Sequence, residues 1–156
     1  MYSTQKNHPM PFIKVWIHFV WSVKNREPVL NDISQRQQLF EHIKRNAKSK
    51  NIYLDRINGY NDHVHCLISL CADQSIDKVM QLLKGESSFW FNNKSGFEAG
   101  KLEWQDEYFA VSVSESKLNV VREYIKNQEA HHARKTFQQE YDEFIIKYGF
   151  QKFKDE

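Results

Sequence analysis

The chain has 156 residues, of which 40% are hydrophobic and 27% charged, the make-up of a single globular domain able to bury a core. No stretch approaches the ~20 apolar residues that a membrane span needs, so no membrane partner is expected. Two cysteines and a formal charge of +2 argue against a disulfide scaffold, leave a reducing cytoplasm as the expected compartment, and do not by themselves announce a nucleic-acid partner.

Residues 1–11 end in Pro9 and Pro11, lack the layout of a secretory signal, and read as a loose leader. From Phe12 to Val23 the alternation predicts a strand. Ile13, Val15, Ile17, Phe19, Trp21 and Val23 fall on one face, and Lys14, Trp16, His18, Val20 and Ser22 on the other. After a loop at Lys24–Pro28, Asp32 has the place of a helix cap, with Gln35 in reach. The helix runs from Ile33 to about Lys50 on a buried stripe of Leu39, Phe40, Ile43 and Ala47. It also carries Arg36, Lys44, Arg45, Lys48 and Lys50 against the single acid Glu41. Such a face suits phosphate binding or plain solvation equally. Ile52–Tyr60 reads as a second strand, paired through a short turn at Asn61-Asp62 with the segment that follows.

That segment, Asn61–Leu70, reads N-D-H-V-H-C-L-I-S-L. As a strand it puts His63, His65 and Leu67 on one face and Val64, Cys66 and Ile68 on the other. Two imidazoles roughly 7 Å apart at their backbones can reach one divalent ion. Two ordinary histidines on a half-buried strand would have the same spacing.

Ser75 opens a second helix with Ile76, Val79, Met80, Leu82 and Leu83 toward the core. Gly85 is expected to weaken or bend it before the aromatic patch Phe89, Trp90 and Phe91. A loop spans Asn92–Gly100, a strand Trp104–Ser114, and a third helix about Ser116 to Ala133. Thr136-Phe137-Gln138-Gln139 has the form of a capping box for a last helix ending near Gly149. The acids Glu140, Asp142, Glu143, Asp155 and Glu156 gather in this tail over residues 136–156. The order of elements predicts a single α+β domain over 1–156. Its sheet is antiparallel and ferredoxin-like, with two helices under the apolar face of the first strand and the third helix over the histidine face.

On the third helix Leu118, Val121 and Ile125 form an apolar stripe, while Tyr124, Gln128 and His131 share another surface at spacings of four and three. A phenol and an amide oxygen can therefore be aimed at one point. The amide oxygen can complete a metal site begun by two histidines, and the phenol can attack a phosphate held there. An ordinary tyrosine has a pKa near ~10 and attacks poorly unless its proton is lost or its target is polarised. The plain reading stands beside this one: a packing tyrosine, a solvent-facing glutamine, and two helix-end histidines favoured by the dipole.

Four motifs in order carry more than any one of them. G-Y-N-D-H-V-H-C-L-I-S-L, Q-L-L-K-G-E-S-S, W-Q-D-E-Y-F-A-V-S-V-S and Y-I-K-N-Q-E-A-H-H together resemble the single-tyrosine, HUH-type transposases of small bacterial insertion sequences. They look most like the REP-associated tyrosine transposases. With the V-K-N-R-E-P-V-L loop, the resemblance spans about residues 12–135. It implies that His63, His65 and Gln128 bind magnesium or manganese and that Tyr124 is the nucleophile. It also implies cleavage of single-stranded DNA near hairpins, leaving a 5′-phosphotyrosine and a free 3′-hydroxyl. A homodimer sharing active sites is one arrangement in the family and a monomer another. Asn61 stands where many members have proline, and the helix after Thr136 is extra to the compact pattern. For DNA, Lys24, Arg26 and Lys84 are candidates for phosphates, and Trp16 and His18 for stacking on bases. Solvated charges and packing aromatics are the alternatives. Two other functions remain open at this point: a hairpin-binding relative that mobilises nothing, and a metallohydrolase that uses water.

Overall fold

The computed structural model describes residues 12–97 and 101–148, so the leader and the end of the tail lie outside the described residues. Four strands, β1 (Trp16–Val23), β2 (Tyr53–Gly59), β3 (His63–Ser69) and β4 (Trp104–Val113), form one sheet in the order β2-β3-β1-β4. Every neighbouring pair is antiparallel, as a ferredoxin-like α+β fold requires. Helices α1 (Ile33–Ser49) and α2 (Ile76–Asn93) cover one face, and α3 (Leu118–Lys126), α4 (Gln128–His132) and α5 (Phe137–Tyr148) lie on the other. Among the described residues no helix is long and apolar enough to cross a membrane.

Period-two alternation assigns the two faces. Ile17, Phe19, Trp21 and Val23 meet Val64, Cys66 and Ile68 beneath Leu39, Phe40 and Ile43 of α1 and Val79, Met80 and Leu83 of α2. This is the main core. The opposite face carries a smaller apolar cluster, Leu67 with Leu118 and Ile125 of α3, and beside it the buried rings of His18, His63 and His65. The helix starts follow their caps. Asp32 Oδ1 accepts from Gln35 N at 3.0 Å and Ser75 Oγ from Lys78 N at 3.1 Å. At α5 the box is reciprocal: Gln139 N donates to Thr136 Oγ1 (3.2 Å) and Thr136 N to Gln139 Oε1 (2.9 Å).

Three expectations change. Strand β1 starts at Trp16, not Phe12, because Trp16 already faces Ser69 and Val113, the last residues of its partners. Phe12, Ile13 and Val15 are exposed beyond that edge. The third helix is two pieces divided at Asn127 (φ −96°, ψ 25°). Side chains serve carbonyls around this joint: Gln128 Nε2 donates to Tyr124 O (3.1 Å) and Asn58 Nδ2 of β2 to Lys126 O (3.0 Å). Finally, Arg36 does not belong to a solvated basic face. It is buried, donates to Leu30 O at 2.9 Å, and pairs with Glu129 of α4 at 2.8 Å.

These last contacts position α3 and α4. Arg36 holds α4, while Arg122 of α3 grips Asp55 of β2 through Nε (2.8 Å) and a second nitrogen (3.3 Å). Together with Asn58 they seat the tyrosine helix on its own sheet.

Candidate metal centre and tyrosine site

The pleat turns His63 and His65 inward together, and both are fully buried. Each ring is oriented by the nitrogen that faces away from the partner helices. His63 Nδ1 lies 2.8 Å from Asp62 Oδ1, which as a carboxylate only accepts, so Nδ1 carries the hydrogen and Nε2 keeps a lone pair. His132 Nδ1 likewise faces the Lys135 carbonyl at 2.7 Å, leaving its Nε2 lone pair inward. Gln128 gives its NH₂ to Tyr124 O and so presents Oε1.

The atoms that remain point at one another. Gln128 Oε1 is 3.2 Å from His63 Nε2 and 3.1 Å from His132 Nε2. Glu140 of α5 places Oε1 2.7 Å from His65 Nε2 and Oε2 2.9 Å from His132 Nε2. Neither Glu140 oxygen nor His65 Nε2 has a partner in hydrogen-bond geometry. One ligand atom from each of His63, His65, His132 and Glu140 falls within 4.8 Å of the others. Lone pairs facing lone pairs at about 3 Å is the separation of adjacent ligands around a cation with ~2.1 Å bonds. Nitrogen and oxygen donors in this mixture fit a divalent ion, and a buried carboxylate supplies the countercharge.

Tyr124 comes to the same place. Its ring lies edge-on to His65 (centroids 5.5 Å apart) and its hydroxyl is 3.5 Å from His131 Nε2. His131 Nε2 is in turn 3.1 Å from Glu140 Oε2. Burial first, then the negative charge of Glu140, pushes the phenol's pKa up. Burial would also raise that of Glu140, but once His132 and His65 carry protons their hydrogen bonds and charge reverse this and hold the carboxylate well below its usual range.

The sequence candidates divide in their placement. His63, His65, Gln128 and Tyr124 converge. His18 also joins the cluster, but as a support: it is buried and its Nε2 lies 2.9 Å from His65 Nδ1, so the ring has no free face for a base. Trp16 is half-buried, edge-on to Tyr53 and under the Arg122 guanidinium. Lys84 donates to Gln105 O (2.6 Å) and Asp106 O (3.1 Å), tying α2 to β4. Lys24 is 3.7 Å from Glu103 at the surface, and Arg26 lies over the Phe137 and Tyr141 rings of α5.

The sequence alone did not single out Asp62, His132 or above all Glu140, which stands among the acids gathered in the carboxy-terminal tail. A signal was present. Phe137, Glu140, Tyr141 and Phe144 lie at i, i+3, i+4 and i+7, the spacing of a buried stripe. An acid inside such a stripe asks for a partner.

The buried rings also set an acid limit. Burial, helped by the neighbouring His65, lowers His18 from 6.5 to about 3; burial lowers His65 to about 4 against the pull of Glu140. Below pH 6.5 the unfolded chain therefore binds protons that the folded chain refuses, and stability falls with pH. Glu140 adds loss in the same direction below its ordinary value of 4.5. In EDTA, each histidine contributes on the order of 1 kcal/mol of loss per pH unit below its unfolded value. Thermal unfolding should shift down by several degrees between pH 7 and pH 5. An unchanged midpoint contradicts neutral, buried rings.

Fold and cluster thus define an α+β protein with a His/Glu cluster consistent with a metal site and a tyrosine set against it. Comparison with known proteins gives the family: residues 12–128 match the model of the IS200-like transposases, and the chain belongs to that family. It is 28% identical over 117 residues to the ISDra2 transposase TnpA of Deinococcus radiodurans, covering 71% of this chain and 81% of the relative. Among solved structures it resembles a Deinococcus radiodurans transposase crystal structure with TM-score 0.60 and 25% identity, over 80% of this chain and 98% of that one. It shares its fold with the REP-associated tyrosine transposase solved bound to a REP hairpin. There the TM-score is 0.59 at 16% identity, over 81% and 73% of the two chains.

Proposed function

We propose that this IS200-like transposase cuts and rejoins single-stranded DNA at hairpin-associated sites through a covalent 5′-phosphotyrosine on Tyr124. The observation that carries the reading is the convergence of the Tyr124 phenol with His63 Nε2, His65 and Gln128 Oε1. The phenolic oxygen attacks the scissile phosphorus, the bond to the 3′ oxygen breaks, and that oxygen takes a proton and leaves as a free 3′-hydroxyl. His131, 3.5 Å from the phenol, with its pKa lowered by burial, is placed to receive the phenolic proton. His63, His65 and Gln128 would hold magnesium or manganese, and the ion would supply polarisation of a phosphate oxygen and stabilisation of charge on the leaving group. Asp62 and His18 keep the two ligand rings in orientation. In the reverse step a 3′-hydroxyl attacks the phosphotyrosine, so the bond energy is conserved.

A hairpin substrate is carried to this chain from the relative solved with one and from family membership. Lys24 and Arg26, beside the site on the loop after β1, are the phosphate contacts that this reading favours.

The test is a denaturing gel of hairpin-bearing single-stranded oligonucleotides incubated with protein and Mn²⁺. The label on the fragment 3′ of the cut should migrate with protein, and EDTA should abolish it. Cleavage without an adduct would assign the attack to water, and binding without cleavage would leave a hairpin-binding protein.

A further inference from the structure

The family match ends at residue 128, and the group at the centre of the cluster lies beyond it. Glu140 is 1% exposed, and its ion-pair partners among the described residues are all imidazoles: His65 at 2.7 Å, His132 at 2.9 Å and His131 at 3.1 Å. A carboxylate taken out of water is strongly disfavoured unless a full countercharge meets it. Here both oxygens lack hydrogen-bond geometry, and the ring of His132 has its hydrogen committed to Lys135 O. Resting on the metal reading above, we infer that Glu140 is itself a ligand of the divalent ion, so that α5 forms the last wall of the centre and docks through it.

The rest of α5 is built for that docking. The Thr136/Gln139 box starts the helix four residues after α4, which brings Glu140 round to the sheet within its first turn. Phe137 stacks on His63 (centroids 4.3 Å apart, planes 18°) and Phe144 packs edge-on to His65, closing the rings from water on that side. Arg26 sits 5.5 Å and 5.1 Å from the Phe137 and Tyr141 ring centres. These contacts are aromatic and adaptable; the carboxylate is what selects one depth and rotation for the helix. The ion and α5 should therefore stabilise each other, since whatever binds only the docked state shifts the helix toward it.

Calorimetric titration of MnCl₂ into the full chain, its Glu140→Gln variant and its His63→Ala variant tests this, together with chymotryptic cutting at Tyr141 and Phe144 with and without Mn²⁺. Glu140→Gln should weaken Mn²⁺ binding by more than about tenfold and cancel the protection that Mn²⁺ gives α5, while His63→Ala removes binding. Equal or tighter Mn²⁺ binding by Glu140→Gln overturns the inference but leaves the metal-dependent transposase reading standing. Absence of Mn²⁺ binding by the unaltered chain overturns both. If Glu140→Gln does not fold, cutting of the unaltered chain decides alone: α5 equally open with and without Mn²⁺ sinks the proposal.

Discussion

Tyr124→Phe should bind Mn²⁺ and single-stranded DNA yet give no covalent adduct, with cleavage reduced by about 10⁴-fold or more because the attacking oxygen itself is gone. The folded protein should hardly notice. The ring packs against His18, His65 and His131 whether or not it carries a hydroxyl. The hydroxyl's hydrogen bond to His131 is long at 3.5 Å. Removing it from a half-buried place should change stability by no more than about 1 kcal/mol. Equal metal affinity and an equal unfolding midpoint, with the adduct absent, separate a missing nucleophile from a damaged site. Cleavage at the unaltered rate would remove the phenol from the mechanism.

Gly59→Ala should have the largest structural effect of any single methyl group added to this sheet. Gly59 ends β2 opposite Val64, where Tyr60 N donates to His63 O at 3.1 Å to close the turn. A Cβ there would stand 2.1 Å from the His63 carbonyl oxygen and 3.1 Å from the Phe40 ring. Backbone must move, and the backbone that moves carries His63. A loss of about 3 kcal/mol or more is expected in urea unfolding, with weakened metal binding. Gly85→Ala is the control: it sits inside α2 with nothing within 4 Å of the added carbon. That substitution should stabilise by about 0.5–1 kcal/mol, since alanine gives up less freedom than glycine in a helix. Opposite signs at the two glycines test the packing directly, and matching signs would contradict it.

Local chemistry made most of the fold legible. Alternation alone put His63, His65 and Leu67 on one side of β3, and the caps at Asp32, Ser75 and Thr136 marked helix starts that the structure reproduces. Quantities fixed by partners far along the chain were not legible. Where β1 begins depends on where β3 and β4 stop. The division at Asn127 depends on Asn58, a residue of another strand. Arg36 looks like any surface arginine until Glu129, 93 positions later, is placed beside it. His18 reads as a sheet-face ring open to a base, and only the depth of the helices above it shows that it serves His65 instead. Glu140 does not stand out in the sequence because it sits among Asp142, Glu143, Asp155 and Glu156, and acids in a terminal segment are usually solvated.

The strand order has a consequence for how the molecule comes together during synthesis. Of the four strands, β1 is made first yet is an interior strand whose two neighbours are made much later, whereas β2 and β3 are joined by a tight turn and can zip as soon as both exist. The topology therefore favours a hairpin that carries both histidines early, with the amino-terminal strand waiting for a seat beside it. Tyr124 arrives after β4 has finished the sheet, so the order of assembly sets the two histidines in place before the phenol that comes to lie against them.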